Sequence, residues 1–193
     1  MLSQTDLTNK KSARLHFAEK RALLNTDEKK IRDTQICEQL ASLVADAPLV
    51  LLFYPVKNEP DLRPLAEHLL SLGTQVAFPI SIKESLTLDF RLISSLNELK
   101  RGAYGIPEPA ASCPSPADLA GAVCITPALA LDMHGYRLGY GKGYYDRFLQ
   151  SHPNVHSIGV AYRDFIAKEL PHNEHDIPLD LIITEKGAIV PNE

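Results

Sequence analysis

Leu49-Val50-Leu51-Leu52-Phe53, closed by Tyr54-Pro55, is a continuous apolar run whose reading decides the fold. A strand with one wet face alternates apolar and polar residues, whereas an unbroken short run fits a strand covered on both sides, as in a parallel sheet. Working outward, Leu62, Leu65, Ala66, Leu69 and Leu70 recur at helical spacing, Gly73 supplies a stop, and Gln75-Val76-Ala77-Phe78-Pro79 reads as the next strand. These pieces predict one βαβ unit. Upstream, Thr5 is the expected cap of a helix running to about Leu24, and Thr26 of a second running to about Ala45. Ile31, Cys37, Leu40, Ala41 and Val44 should lie largely on one face of that second helix. Downstream, Leu86, Leu88, Phe90 and Leu92 alternate with Thr87, Asp89 and Arg91, predicting an antiparallel addition with one wetter face. Residues 101–117, rich in Ala, Gly and Pro, should wrap the surface as an irregular loop. Ala122–Thr126, His156–Tyr162 and Leu181–Thr184 complete a mainly parallel mixed sheet, with a helix from about Tyr144 to Gln150. The expectation is one three-layer α/β domain over residues 1–193, helices on both faces, with two helices opening the chain.

Composition narrows the function. A chain of 193 residues with 45% hydrophobic and 23% charged side chains is an ordinary globular protein. Its formal net charge of −4 argues against a broad nucleic-acid face while leaving room for a local basic site, so small anionic ligands are the expected partners. The N-terminal segment carries no apolar run of signal-peptide kind and no stretch is long enough to span a membrane, so a cytoplasmic protein is expected. A monomer is expected as well. Cys37, Cys113 and Cys124 are odd in number and far apart, which disfavours a disulfide framework; Cys37 and Cys124 fit apolar faces.

Chemistry concentrates in Arg137-Leu138-Gly139-Tyr140-Gly141-Lys142-Gly143-Tyr144-Tyr145-Asp146-Arg147. Glycines at alternate positions let backbone N–H groups approach an anion, and the helix expected after them adds a positive dipole end. The dinucleotide fingerprint would need glycine at Tyr144, and the P-loop would need Ser or Thr at Gly143, so neither motif applies. Glycine clusters also make plain turns, and Tyr140, Tyr144 and Tyr145 fit core or ring-stacking roles equally. Lys10 and Arg14 stand four apart and share a helix face, either solvated or turned to a phosphate, with Lys11 about 100° away. Asp146 is a helix first-turn acid or a ligand residue. His172 and His175 with Glu174 lack a third ligand at zinc spacing.

Pro127-Ala128-Leu129-Ala130-Leu131-Asp132 followed by Gly135-Tyr136 and the glycine stretch resembles the signature of the 5-formyltetrahydrofolate cyclo-ligases. Lys10-x-x-x-Arg14, Glu59-Pro60-Asp61, Gly105-Ile106-Pro107-Glu108-Pro109 and Glu174-His175-Asp176 extend the resemblance across the chain in order. Leu131 departs from it, standing where the family usually has phenylalanine, and so does Pro60-Asp61-Leu62. The resemblance implies an enzyme that closes 5-formyltetrahydrofolate to 5,10-methenyltetrahydrofolate with ATP as cosubstrate and Mg²⁺ as cofactor. It assigns ATP to Lys10, Lys11, Ser12, Ala13 and Arg14 and to the loop Arg137, Leu138, Gly139, Tyr140, Gly141, Lys142, Gly143, Tyr144 and Tyr145. Within that loop Arg137 and Lys142 become the clamp on the transferring phosphoryl group. The folate falls to Val56, to Glu59 or Asp61, and to Tyr140 through Tyr144; Mg²⁺ falls to Asp146 and Asp176. Glu108 reads as a loop charge. A non-catalytic nucleotide- or RNA-binding module and an isomerase- or transferase-like enzyme of similar layering are the alternatives.

Overall fold

The computed structural model describes residues 9–192, so the Thr5 cap lies outside the described residues. Asn9 caps α1 (Lys10–Ala22), its side chain accepting from the N–H groups of Lys11 and Ser12. Asn25 caps α2 (Thr26–Leu43) in the same way, leaving Thr26 one residue inside the helix. Then come β1 (Leu49–Leu51), α3 (Arg63–Ser71), β2 (Gln75–Ile82), β3 (Thr87–Ile93), β4 (Lys100–Arg101), β5 (Pro107–Glu108) and β6 (Val123–Pro127). The chain continues through β7 (Ala130–Asp132), β8 (Arg137–Leu138), α4 (Tyr144–Ser151), β9 (His156–Val160), β10 (Ile166–Ala167), β11 (Leu181–Thr184) and β12 (Gly187–Ile189).

The main sheet has the order β12-β11-β9-β6-β1-β2-β3, parallel except for β3 and β12 at its edges. Leu49 through Phe53 are all buried, as the apolar run requires. Pro64 opens α3, Leu72 ends it, and Gly73 follows at φ 81, a backbone position costly for other residues. α2 packs on α3 and reaches β11, while α4 packs against β3 with the rings of Phe148 and Phe90 4.8 Å apart.

Several expectations change. Ile31 is 62% exposed, and the buried face of α2 is Asp33, Ile36, Cys37, Leu40 and Val44. Residues 101–117 are less irregular than expected, because β4 and β5 form a hairpin closed by a turn at Ala103–Gly105. A small second sheet, β10-β7-β8, organises the Pro127–Gly143 segment, and β12 adds an antiparallel edge. The strand order reverses direction at β1: β2 lies on one side and β6 on the other. The crevice outside the carboxyl ends of the strands at such a point is where open α/β sheets bind ligands.

Candidate active site

A cleft of about 930 Å³ opens there, lined by Phe53 and Tyr54 after β1, Pro79 in β2 and Pro127 at the end of β6. Its size suits a small-molecule site. Most of the residues expected from the sequence line it: Lys10, Arg14, Val56, Glu59, Arg137, the whole run from Leu138 to Tyr145, Asp146 and Asp176. Four do not. Ala13 is fully buried in the core, and Lys11 and Ser12 edge a neighbouring groove. Asp61 turns away to Arg63, its Oδ1 2.9 Å from Nε and its Oδ2 2.6 Å from Nη2, which holds the acid below its ordinary range against the opposing effect of burial. Of the two acids considered for the folate ring, Glu59 is the one that faces the cleft.

Two arginines that also line the cleft hold the glycine loop. Arg14 Nε donates to the carbonyl of Gly139 at 2.8 Å, and its guanidinium lies where a side chain at Gly141 would crowd it, at φ 97. Arg147 Nη1 donates to the carbonyl of Lys142 at 2.7 Å and sits 3.0 Å from where a Cβ on Gly143 would stand. These two glycines therefore serve both a left-handed backbone and close approach by a cation. Gly143 caps α4 without a side-chain bond, leaving the helix N-terminus open toward the cleft. Lys142 is exposed, and among the described residues its ammonium makes no ion pair.

Of the two expected clamp residues, Arg137 is the buried one. Its side chain is 5% exposed, its Nη2 lies 2.7 Å from Asp146 Oδ2, and its guanidinium stands 5.4 Å from the Tyr145 ring centre. The geometry satisfies charge but not hydrogen bonding, since Nε and Nη2 lack well-aligned acceptors. Asp146 Oδ1 accepts from the N–H of Ile177 at 3.4 Å, which brings it beside Asp176; Asp176 in turn is ion-paired to Lys10. Each candidate metal acid thus has its own cation. No cluster of three His, Cys, Asp or Glu exists among the described residues. Two carboxylates beside a glycine loop nevertheless fit Mg²⁺, a hard ion that takes one or two carboxylates and completes its shell with other oxygens and water. Zinc does not fit: His172 stacks on Tyr136 at 3.8 Å and His175 is exposed.

Glu59 is 2% exposed, and burial pushes its carboxyl up to about 7. Its Oε2 accepts from the N–H of Val56 at 2.9 Å while Oε1 has no hydrogen bond. An acid protonated more readily folded than unfolded lowers stability as pH rises from the ordinary carboxylate range to about 7, so this group is placed at a cost to the fold.

Two further residues shape the cleft, Glu108, read from the sequence as a loop charge, and Arg21, which the sequence does not single out. Glu108 is 6% exposed, and it accepts from the N–H groups of Ser81 at 3.2 Å and Ala103 at 3.0 Å. It thereby pins the β4–β5 hairpin, whose Tyr104 meets the Tyr144 hydroxyl at 2.9 Å across the cleft rim. Only the Pro-Glu-Pro setting hinted at a fixed acid. Arg21 is the other. It lies buried against Glu59, and no local pattern in α1 marks it.

The chain matches the model of the 5-formyltetrahydrofolate cyclo-ligase family over residues 6–185. It is 35% identical over 150 residues to the 5-formyltetrahydrofolate cyclo-ligase of Escherichia coli, covering 73% of this chain and 80% of the relative. The enzyme of that description from Mycolicibacterium smegmatis is 31% identical over 157 residues, 78% and 80% of the two chains. The solution structure of Aquifex aeolicus 5,10-methenyltetrahydrofolate synthetase superposes with a TM-score of 0.81 at 32% identity, over 95% of this chain and 93% of that one.

Proposed function

The chain belongs to the 5-formyltetrahydrofolate cyclo-ligase family, and from that premise we propose that it closes 5-formyltetrahydrofolate to 5,10-methenyltetrahydrofolate at the expense of ATP, releasing ADP and phosphate. The observation that supports this most is the convergence in one cleft of a glycine loop, basic residues from α1, a pair of acids and a buried carboxylate. A formamide carbon is a weak electrophile. Transfer of the γ-phosphoryl group to the formyl oxygen gives an imidate phosphate; N10 then attacks that carbon, and phosphate leaves carrying the oxygen. Such a transfer needs alignment and charge neutralisation more than a covalent nucleophile.

In this reading Arg14 and the N–H groups from Gly139 to Gly143 hold the phosphates, and Lys142 neutralises charge on the moving phosphoryl group. Glu59 accepts N–H donors of the pterin, with Tyr140 and Tyr144 beside the ring. Asp146 and Asp176 would hold Mg²⁺, which supplies charge neutralisation on phosphate oxygens when bound. Arg137 and Lys10 keep those two acids in place. Action as a cytoplasmic monomer on small molecules, without nucleic acid, is part of the same proposal. No helix among the described residues is long and apolar enough to cross a membrane.

A magnesium titration of activity tests the acid pair. Asp146→Asn should raise the magnesium needed for half-maximal rate by about tenfold or more. It should also destabilise, because Arg137 loses the partner of a largely buried pair, a change of about 3 kcal/mol. At this chain length that lowers Tm by roughly 6–12 °C. A lower Tm with an unchanged magnesium requirement would make Asp146 only the partner of Arg137.

A further inference from the structure

Arg21 is 1% exposed, a guanidinium placed where every donor needs an acceptor. Its Nη2 donates to the carbonyls of Ala128 and Leu129, at the entrance to the signature segment, and its Cζ lies 5.2 Å from the centre of the Phe165 ring. Its Nε and Nη1 have no hydrogen-bond partner among the described residues. What Nη1 faces, at 3.8 Å, is Oε1 of Glu59, the carboxylate oxygen that itself lacks a hydrogen bond. The separation is too long for a direct bond and short enough for strong attraction in a buried setting. The pair therefore steadies the ionised form of Glu59, whose side chain lines the cleft.

We propose that Arg21 is a positioning residue for folate recognition: without touching the ligand, it holds the Glu59 carboxylate ionised and aimed into the cleft, and so sets the lower pH limit of folate binding. The inference rests on the assignment of Glu59 to the folate ring. It also joins α1, which carries Lys10 and Arg14 toward the phosphates, to the acid that receives the pterin.

The other groups facing Glu59 are Lys57 on its own loop, Tyr140 on the glycine loop and Tyr145 on α4. Partial burial and the nearby Glu59 charge keep Tyr140 neutral, burial keeps Tyr145 neutral, and Lys57 is exposed, where water screens it. The Val56 N–H and the buried Arg21 cation are thus the main features that offset the burial of Glu59, and Arg21 is the one that a side-chain substitution can remove. The accepting form exists above the carboxyl's pKa, so affinity is full at high pH and falls as pH drops through about 7. Removing the cation moves that fall to higher pH.

The test is calorimetric titration of 5-formyltetrahydrofolate without ATP, from about pH 5 to about pH 9, to cover both sides of that transition. Wild type, Glu59→Gln, Arg21→Met and Arg21→Lys are compared. Wild type should lose affinity as pH falls, and Glu59→Gln should bind more weakly with that limb gone. Arg21→Met should carry the limb upward by about one pH unit or more, whereas Arg21→Lys, which keeps the charge, should hold it near the wild-type position. If Arg21→Met does not fold, adding Glu59→Gln should restore the fold, because the unpaired buried charge is then gone. A folded Arg21→Met whose limb stays in place overturns the role of Arg21, as does a double variant no better folded than the single one. Wild-type affinity in Glu59→Gln at every pH overturns the reading of Glu59 beneath it.

Discussion

Lys142→Ala is expected to lower turnover on the order of 10²-fold or more while leaving the affinity for 5-formyltetrahydrofolate within a small factor of wild type. The argument is one of differential binding. A lysine on a turn, exposed and without an ion pair among the described residues, contributes little to the fold, so its loss should not lower Tm noticeably. Its ammonium can follow the phosphoryl group as charge redistributes, an interaction strongest in the transition state. Arg137 cannot do this as freely, because it is 5% exposed and committed to Asp146. Arg137→Ala should therefore lose activity together with stability, whereas Lys142→Ala loses activity alone. Steady-state kinetics beside thermal melts separate the two, and a folded Lys142→Ala with normal turnover would remove Lys142 from the chemistry.

Glu59→Gln should raise the KM for 5-formyltetrahydrofolate by roughly 10- to 100-fold at alkaline pH, with the KM for ATP little changed. A hydrogen bond to a charged group contributes about 1.5–3 kcal/mol, and each 1.4 kcal/mol is a factor of about ten. The pH at which the comparison is made matters. Above about 7 the wild-type carboxylate is ionised and accepts from the ligand, so the variant should look worst there. Below that value the wild type is itself protonated, and the two proteins should converge as pH falls. The substitution also leaves Arg21 buried without its counter-ion, so thermal melts accompany the kinetics. Equal KM values at alkaline pH would detach Glu59 from the folate.

The parts of the fold legible in the sequence are those whose burial is uniform or periodic in apolar residues. Leu49 to Phe53 and the helix ending before Gly73 announced a covered strand and its crossover because solvent reaches neither face of β1. The face of α2 is only partly legible in the sequence, because one of its buried positions is a carboxylate. Asp33 sits in line with Ile36, Cys37, Leu40 and Val44, its charge met by the Tyr162 hydroxyl at 2.6 Å and Lys29 at 2.7 Å, while Ile31 faces water. Apolar periodicity cannot see that. The strands β7, β8, β10 and β12 run two or three residues each, too short for any alternation to stand out.

In the site, the glycine loop and its acids were legible because their chemistry depends on residue type at close spacing. Asp132, part of the same signature, is structural: fully buried, it accepts from His134, Tyr136 and Leu170, fixing the turn that delivers Arg137 and the loop after it. Arg21 and Glu108 were not legible, since each gains its role from partners distant in sequence. Asp61 and Glu59 were indistinguishable until the chain after β1 was seen to turn one acid inward and the other to Arg63.

The central claim is that ATP is consumed in step with ring closure, its γ-phosphoryl group passing to the formyl oxygen in the cleft that Lys142 and the glycine loop line. The measurement that tests it most directly mixes the purified protein with 5-formyltetrahydrofolate, magnesium and ATP, and follows methenyl absorbance beside ADP release. The account predicts ADP and methenyl product appearing one-for-one, with no product when a non-hydrolysable ATP analogue replaces ATP. Ring closure without ATP, or ATP hydrolysis that yields no folate product, would contradict it.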